Sequence, residues 1–434
     1  TECCLTIRNE ETLRVDVTLE KIDVLVNSET FKNADEFLCD AINKYKDNIS
    51  GSIAEKTYLA TVMQNVFFKE KAQLNCVTYI DVSEEASIDD VLSTIKELVR
   101  ENSIFRSTYD SESHMITEYP YNENWNIPYF EEDEYSVLMD HSYISSHNLG
   151  ILTSGGLQSY IMIVGKKFGG YRVMFFVHHG LWDKSSALIL KNKFTKMITV
   201  NTKIVPLYYS DYVAEVTKKK TENHEVASFV ELFMNSLKTM TDLIKSRYEK
   251  RYVAIVDMIV EDGVVDRFKM DPIGNIMKFY RRANPIVDEL EYIPFAILYH
   301  GRPDVNDDQL GLKLVYLPCL LSVSDNKIIG GLDLISNDGT VPYELYDMKL
   351  DDYYSGDNFF IEMNYHGFFE GEINNQPIYS RDKTFVTETN QILKEIECND
   401  SKNNIYISMP MYENNTDEAQ KKADEIFNYM KKNI

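Results

Sequence analysis

Two adjacent histidines and a nearby aspartate are the side chains in this sequence best suited to chemistry. His178 and His179 close a strongly apolar stretch, and Asp183 follows in the same short segment. Imidazole accepts and returns a proton near neutral pH with little change from its ordinary pKa. Adjacent side chains of a strand point to opposite faces, so only one of the two histidines can serve a cleft. From spacing alone, either one histidine acts in proton transfer or both are core residues held by backbone hydrogen bonds.

The elements that must position these residues are predicted by hydrophobic patterning. Residues 159–164 and 171–177 read as two largely buried strands that flank a turn at 166–170, which is typical of a hairpin. The second strand ends at the histidines, where the backbone leaves the sheet and side chains can face a cleft. The pattern therefore favours a functional role for this segment.

The rest of the chain alternates between helical and strand patterns, which indicates a mixed α/β fold. Ser87 and Asp90 form a helix-start signal, and helices are also expected at 34–45 and 225–248. Further strands are expected at 13–19, 295–299, 312–317 and 359–364.

Composition bounds the class of protein. The chain has 434 residues, of which 44% are apolar, so it can bury a sizeable core of two or three domain-sized units. A formal net charge of -24 repels phosphate backbones and anionic membranes, so neither nucleic acid nor a membrane is an expected partner. The sequence has no apolar run of membrane-spanning length and no leader pattern at Thr1, and we expect a cytoplasmic protein.

The cysteines give no sign of a metal centre or of a disulfide framework. They are scattered, without paired spacing or nearby histidines, at Cys3, Cys4, Cys39, Cys76, Cys319 and Cys398. We therefore expect free thiols and no metal. No repeat of fixed period divides the chain.

Residues 176–186 resemble the HHxxxDG signature of nonribosomal peptide synthetase condensation domains, which are members of the chloramphenicol acetyltransferase superfamily. Weaker signals of that family occur in order along the chain, over roughly residues 53–400. They are Met63 with Gln64, residues 101–106 ending at Arg106, residues 209–212, His300 to Arg302, Gly311 with Pro318, and residues 341–344.

The resemblance implies an architecture of two chloramphenicol acetyltransferase-like subdomains, in a V-shaped pseudo-dimer with a central tunnel. The expected subdomains are residues 53–222 and 223–434. Residues 1–52 are then an N-terminal extension, either packed on the main fold or serving as a docking element. The implied partners are donor and acceptor carrier proteins, whose phosphopantetheine arms bring the substrates, with adenylation domains elsewhere. No cofactor is expected on the domain itself.

The resemblance also implies roles for individual residues. His179 is the expected catalytic residue and His178 a structural one, while Asp183 pairs with Arg302. Alternatively, Asp183 caps the helix that follows. The tunnel lining is expected to include Lys184, Ser185 and Ser186, and either serine could assist an oxyanion. His179 could act as a general base or hold the amine and the developing oxyanion.

The implied reaction is amide-bond formation between a donor acyl thioester and an acceptor amine. Two alternatives are a free-standing acyltransferase that uses a soluble amine or alcohol, and a degenerate domain that only recruits a partner. The chain departs from the family pattern at Lys184, where glycine is usual, and at Asn102, Ser103 and Val315. Tyr299 stands where an epimerase would have an acid, and the histidines stand where heterocyclisation domains have aspartate. Both of those reactions are therefore disfavoured.

Overall fold

A computed structural model gives the structure of the chain. It describes residues 29–69, 75–132, 155–199, 206–218, 224–248, 250–261, 263–299, 301–302, 307–335, 341–346, 348, 361–367, 383–389, 395–401 and 404–433. The strand expected at 13–19 and His300 lie outside these residues.

Within this part of the chain, the polypeptide packs into two compact units. The first comprises the chain through Thr57, Lys71–His178 and Leu190–Leu207. The second comprises Tyr58–Glu70, His179–Ile189 and the chain from Tyr208 onward. The division does not follow the boundary expected between 222 and 223. Three segments that precede residue 223 belong to the second unit: Tyr58–Glu70, His179–Ile189 and the residues from Tyr208 onward.

Among its described residues, the first unit is built around a sheet of four strands in the order β2-β7-β6-β5. Strands β6 and β7 pair antiparallel from Ser159 opposite Val177 to Gly165 opposite Tyr171, so the predicted hairpin is confirmed. The elements that begin in the first unit are α1 (Glu29–Lys46), β1 (Lys56–Leu59), β2 (Asn75–Val82), α3 (Ile88–Glu101), β3 (Ser107–Asp110), β4 (Met115–Glu118), β5 (Tyr129–Glu131), β6 (Ser159–Gly165) and β7 (Tyr171–His178).

The described part of the N-terminal extension packs on this unit. Helix α1 buries Leu38 and Tyr45. The Tyr45 ring meets those of Tyr160 and Trp125 edge-on, with centroids 4.9 and 6.0 Å apart. Edge-to-face contacts of this kind add to the burial of apolar surface. The described part of the extension is therefore packed on the first unit, and a docking role for residues 1–52 stays a prediction.

The second unit contains an eight-stranded sheet, counted over the described residues, in the order β11-β10-β9-β12-β14-β15-β8-β13. Strand β12 is parallel to both its neighbours, whereas β15 pairs antiparallel with β14 and β8. The strands are β8 (Arg251–Ile259), β9 (Tyr292–Tyr299), β10 (Val315–Ser322), β11 (Ile328–Gly330), β12 (Glu362–Gly367), β13 (Lys383–Thr389), β14 (Glu395–Ser401) and β15 (Asn404–Tyr412).

The remaining helices complete the mixed α/β fold, and the predicted fold class is confirmed. They are α2 (Val62–Lys69), α4 (Lys184–Thr199), α5 (Tyr209–Lys218), α6 (His224–Arg247), α7 (Val264–Met270), α8 (Pro272–Ala283), α9 (Tyr343–Tyr346) and α10 (Thr416–Asn433). Helix α6 buries Phe233, Leu237 and Met240 in the core of the second unit, as its apolar stripe predicts. No helix among the described residues is long and apolar enough to cross a membrane.

One predicted strand begins later than expected, and the predicted helix start at Ser87 is confirmed. The strand expected at 312–317 begins at Val315. The preceding backbone turns through Gly311 at φ +142°, and the backbone N–H of Lys313 donates to Asp183 instead of to a neighbouring strand. The helix expected to start near Ser87 is present as α3, with a reciprocal capping box between Ser87 and Asp90.

Candidate active site

The two histidines occupy different environments at the end of β7. His178 is the last residue of the strand, its side chain is buried, and its backbone N–H donates to the Gln158 carbonyl at 2.9 Å. His179 begins a short 3₁₀ turn, His179–Leu181, and is only partly buried. The end of β7 therefore holds the first imidazole in the core, while the residue that carries the second is only partly buried.

The imidazole of His179 stacks face to face on Phe67, a residue of α2. The ring centroids are 4.1 Å apart and the planes differ by 8°. The next residue, Gly180, lies against Phe68, where an added Cβ would come within 2.7 Å of ring carbons. Only glycine fits beneath that ring without displacing it, since interiors have no room for such an overlap.

Asp183 both caps the following helix and pairs with Arg302. Its Oδ1 accepts from the backbone N–H of Ser186 at 2.7 Å, which is the geometry of a helix N-cap. Nη2 of Arg302 lies 3.3 Å from both carboxylate oxygens. The backbone N–H of Lys313 donates to Oδ2 at 3.0 Å. The two roles considered for Asp183 are therefore not exclusive, because one carboxylate performs both.

Ser186 is a fully buried member of this network. Its hydroxyl lies 2.7 Å from Asp183 Oδ1 and accepts from the backbone N–H of Gly311 at 3.0 Å and from Arg302 at 3.2 Å. This placement differs from the tunnel lining expected for Ser186, because its hydroxyl is already committed to neighbouring protein groups. Ser185 is half-buried, and Lys184 is exposed at the start of α4.

A second layer of charge surrounds Arg302. Its Nη1 donates to the Gln309 carbonyl at 2.7 Å and lies 3.2 Å from Asp307 Oδ2. Lys313 Nζ lies 2.7 Å from the same Asp307 oxygen and 4.6 Å from the ring centroid of Tyr212. Buried charges are tolerated when they are paired and hydrogen-bonded. In this cluster the carboxylates of Asp183 and Asp307 balance the cations of Arg302 and Lys313.

The pKa values of this layer follow from burial and pairing. Desolvation alone would raise the pKa of Asp307, but the hydrogen bond and charge of Lys313, with the charge of Arg302, lower it overall. Desolvation lowers the pKa of Lys313 despite the opposing effect of Asp307.

Lys184 lies outside this layer of charge. The pKa of its ammonium falls to about 8 through desolvation by surrounding protein, although the residue as a whole is exposed.

Two of the family-like segments, residues 209–212 and the one that begins at Gly311, meet next to this network. Gly311 has φ +142°, and an added Cβ would lie 2.1 Å from the ring of Tyr209. The Tyr209 hydroxyl donates to the Leu312 carbonyl. Glycine is required at 311 for both its backbone conformation and the approach of this ring.

The second family-like segment has a structural role in the first unit. Arg106 is buried, and its guanidinium donates to the carbonyls of Val99 at 2.6 Å and Tyr119 at 2.8 Å. Arg106 therefore satisfies a carbonyl that the C-terminal turn of α3 leaves open. Asn102, which departs from the family pattern, donates to the Leu98 carbonyl at 2.9 Å and closes the same turn.

Sequence reasoning missed three residues of this region: Phe67, Asp307 and Lys313. Only Phe67 had a usable signal, since it follows the capping pair Thr61 and Gln64 at the start of a helix. Asp307 and Lys313 carry no spacing pattern, because loop structure brings them to Arg302. Among the residues expected at the site, Asp183, Ser186 and Arg302 lie together. His179 lies at the other end of the short turn that leads to Asp183.

Comparison with known proteins defines the class of fold. No family model matches the chain, and no curated protein matches it. Solved structures do match. One, concerned with condensation-domain-mediated chain release from the enacyloxin polyketide synthase, has a TM-score of 0.57 at 10% identity and covers 95% of this chain and 89% of its own.

Two further structures are similar over most of the chain. The condensation domain of the Monacolin K polyketide synthase MokA has a TM-score of 0.52 at 10% identity, covering 87% of this chain and 97% of its own. The epimerization domain from the third module of tyrocidine synthetase B has a TM-score of 0.52 at 12% identity, with the same coverage. The chain therefore has the condensation-domain fold that its motifs predict.

Proposed function

We propose that this protein is a condensation-type acyltransferase in which His179 is the catalytic residue. The observation that carries the proposal is the arrangement around the motif. Asp183 and Arg302 fix the end of the short segment that begins at His179, while the His179 side chain stays partly exposed. A proton-transfer residue needs a fixed backbone and a side chain that is not sealed in the core.

The chemistry is the attack of an amine on a thioester. The amine nitrogen bonds to the thioester carbonyl carbon, the carbon–sulfur bond breaks, and the departing thiolate takes up the proton lost by the amine. His179 carries that proton, or it holds the amine and the developing oxyanion by hydrogen bonds. The Asp183 carboxylate is bound by Arg302, Ser186 and Lys313, so it fixes the backbone of the segment.

The substrates we propose are acyl groups on phosphopantetheine arms of donor and acceptor carrier proteins. Adenylation domains elsewhere would load those carriers. The tunnel that the resemblance implies stays a prediction, as do the positions of Lys184 and Ser185 along it. Epimerisation is not proposed, because Tyr299 replaces the acid that reaction would use.

A second candidate is transfer to a soluble amine or alcohol. In the enacyloxin polyketide synthase a condensation domain mediates chain release, so this fold serves more than chain extension. Lys184, in place of the usual glycine, also sets this chain apart from the family pattern. For this candidate we propose the same role for His179 and a free acceptor in place of a second carrier.

The experiment mixes the protein with donor carriers loaded with acetyl, aminoacyl or longer acyl groups. The acceptor is either an aminoacyl carrier or a panel of soluble amines and alcohols. Intact-protein mass spectrometry follows both carriers. An amide on the acceptor arm supports the first candidate, and release to a soluble acceptor supports the second. If every donor stays loaded while a condensation domain of known activity turns over the same carriers, both candidates are wrong.

A further inference from the structure

We infer that Phe67 is a positioning residue that sets the plane of the His179 imidazole. This inference rests on the proposed role of His179. The two rings lie 4.1 Å apart and within 8° of parallel. The terminal torsion of a histidine side chain has a broad energy minimum, so a ring at the end of a strand needs an external contact to fix its plane. Phe67 provides such a contact over one whole face.

The position of Phe67 is itself set by the start of α2. The backbone N–H of Thr61 donates to Gln64 Oε1 at 3.0 Å, and the backbone N–H of Gln64 donates to Thr61 Oγ1 at 3.2 Å. These reciprocal bonds form a capping box. The side chain of Val66 is buried, so the helix also has an anchor beside Phe67.

The neighbouring pair of residues strengthens the inference. Phe68 covers Gly180 so closely that an added Cβ would lie 2.7 Å from its ring. Consecutive residues of α2 therefore contact consecutive residues of the turn, Phe67 on His179 and Phe68 on Gly180. A one-residue displacement of either segment would break both contacts.

Stacking suits proton transfer because of its geometry. A ring that covers the imidazole face leaves the nitrogen lone pair and N–H directions in the imidazole plane, where an amine or thiol would meet them. The aromatic face also attracts the imidazolium that forms when His179 takes a proton. Phe67 thus acts through His179 and need not touch the substrate.

The kinetic test compares Phe67→Leu with Phe67→Tyr and Phe67→Trp in the intact protein. Loss of orientation in the transition state should lower kcat about 10- to 100-fold in Phe67→Leu. KM for the donor should stay unchanged. The aromatic replacements should recover most of the rate. The control is Phe279→Leu, which removes a buried ring of α8 that meets Tyr429 edge-on and should leave kcat unchanged. A wild-type kcat in Phe67→Leu, or no recovery with Tyr and Trp, would overturn the inference.

A second readout does not depend on turnover. The ring current of a stacked phenylalanine shifts the imidazole proton resonances of His179, which can be assigned by comparison with His179→Gln in histidine-labelled protein. Phe67→Leu should move these resonances, whereas Phe279→Leu should not. Unmoved resonances in Phe67→Leu contradict the stacking itself. Moved resonances in a protein that transfers no acyl group would support the stacking and contradict the proposed function.

Discussion

Asp183 combines two contacts that are usually made by different residues. It caps α4 through the Ser186 backbone and binds Arg302, which lies 119 residues away in sequence. The family-like motif predicts the ion pair, and the position before a helix predicts the cap. Neither pattern alone predicts that one carboxylate makes both contacts, because the second partner arrives only through the tertiary fold.

This double role predicts the energetics of the pair. Asp183→Ala and Arg302→Ala should each lower the free energy of unfolding by about 3–5 kcal/mol, since each leaves an uncompensated buried charge. The double variant should lose clearly less than the sum of the two. Asp183→Asn serves as a control, because it keeps an N-cap acceptor and removes the charge. Urea unfolding of wild type, the two single alanine variants and the double variant gives the coupling energy. Strict additivity of the two losses would mean that the pair does not interact.

Lys184 makes a prediction about donor choice. Lys184 follows His179 by five residues in sequence, and the pKa of its ammonium is lowered to about 8. The charged ammonium should favour a donor that carries a carboxylate. Since the folded-state pKa is lowered, the preference should be present at pH 7 and fade as the pH rises through about 8. Lys184→Gly should lack the preference at both pH values and accept a broader range of donors.

The measurement is a competition between a carboxylate donor and its amide analogue at pH 7 and pH 9. Lys184→Met controls for side-chain bulk without charge. The same donor ratio in all three proteins at both pH values would make Lys184 a neutral surface residue.

At the scale of the element, local patterns predicted most of what positions the site. Alternation and turn residues defined the β6–β7 hairpin, and the apolar stripe defined α6. The start of β10 was predicted too early, because periodicity does not reveal that the residues after Gly311 serve the Asp183 network before they join the sheet. Helix α2 was seen only as a family-like segment, since it is short and its partner turn is distant in sequence.

A substitution at Gly311 tests whether contacts with Tyr209 fix the segment before β10. Gly311→Ala should destabilise the protein by about 2–5 kcal/mol, combining left-handed backbone strain with the clash against Tyr209. Gly263 is a matched control: its φ is +79°, and nothing lies within 4 Å of an added Cβ. Gly263→Ala should therefore cost only about 1 kcal/mol. Equal losses in thermal or urea unfolding would show that Tyr209 does not restrict residue 311.

At the scale of the whole molecule, composition and motif order predicted the class of fold. They could not predict the strand order of the large sheet, in which β12 lies between β9 and β14. Such an order depends on pairings between residues far apart in sequence, which no local pattern encodes. The grouping of α2 and the His179 turn with the second unit was missed for the same reason.

Acid stability of the whole chain should depend in part on Asp307. Its folded-state pKa is lowered, so its contribution is present above the unfolded value of about 4 and is lost as the pH falls through the folded-state value. Asp307→Asn should therefore be less stable than wild type at pH 7, and the difference should shrink below about pH 4. Urea unfolding across this pH range checks the sign. A difference that grows on acidification would contradict the pairing with Lys313.

The most direct test of the central claim is single-turnover acyl transfer by wild type and His179→Ala, using whichever donor and acceptor the carrier experiment identifies. Loss of a positioned proton-transfer group should slow transfer by about 10²- to 10⁴-fold. Circular dichroism and urea unfolding should match wild type, because His179 is only partly buried. Transfer by His179→Ala at the wild-type rate would contradict the account, since it would remove the imidazole from the reaction.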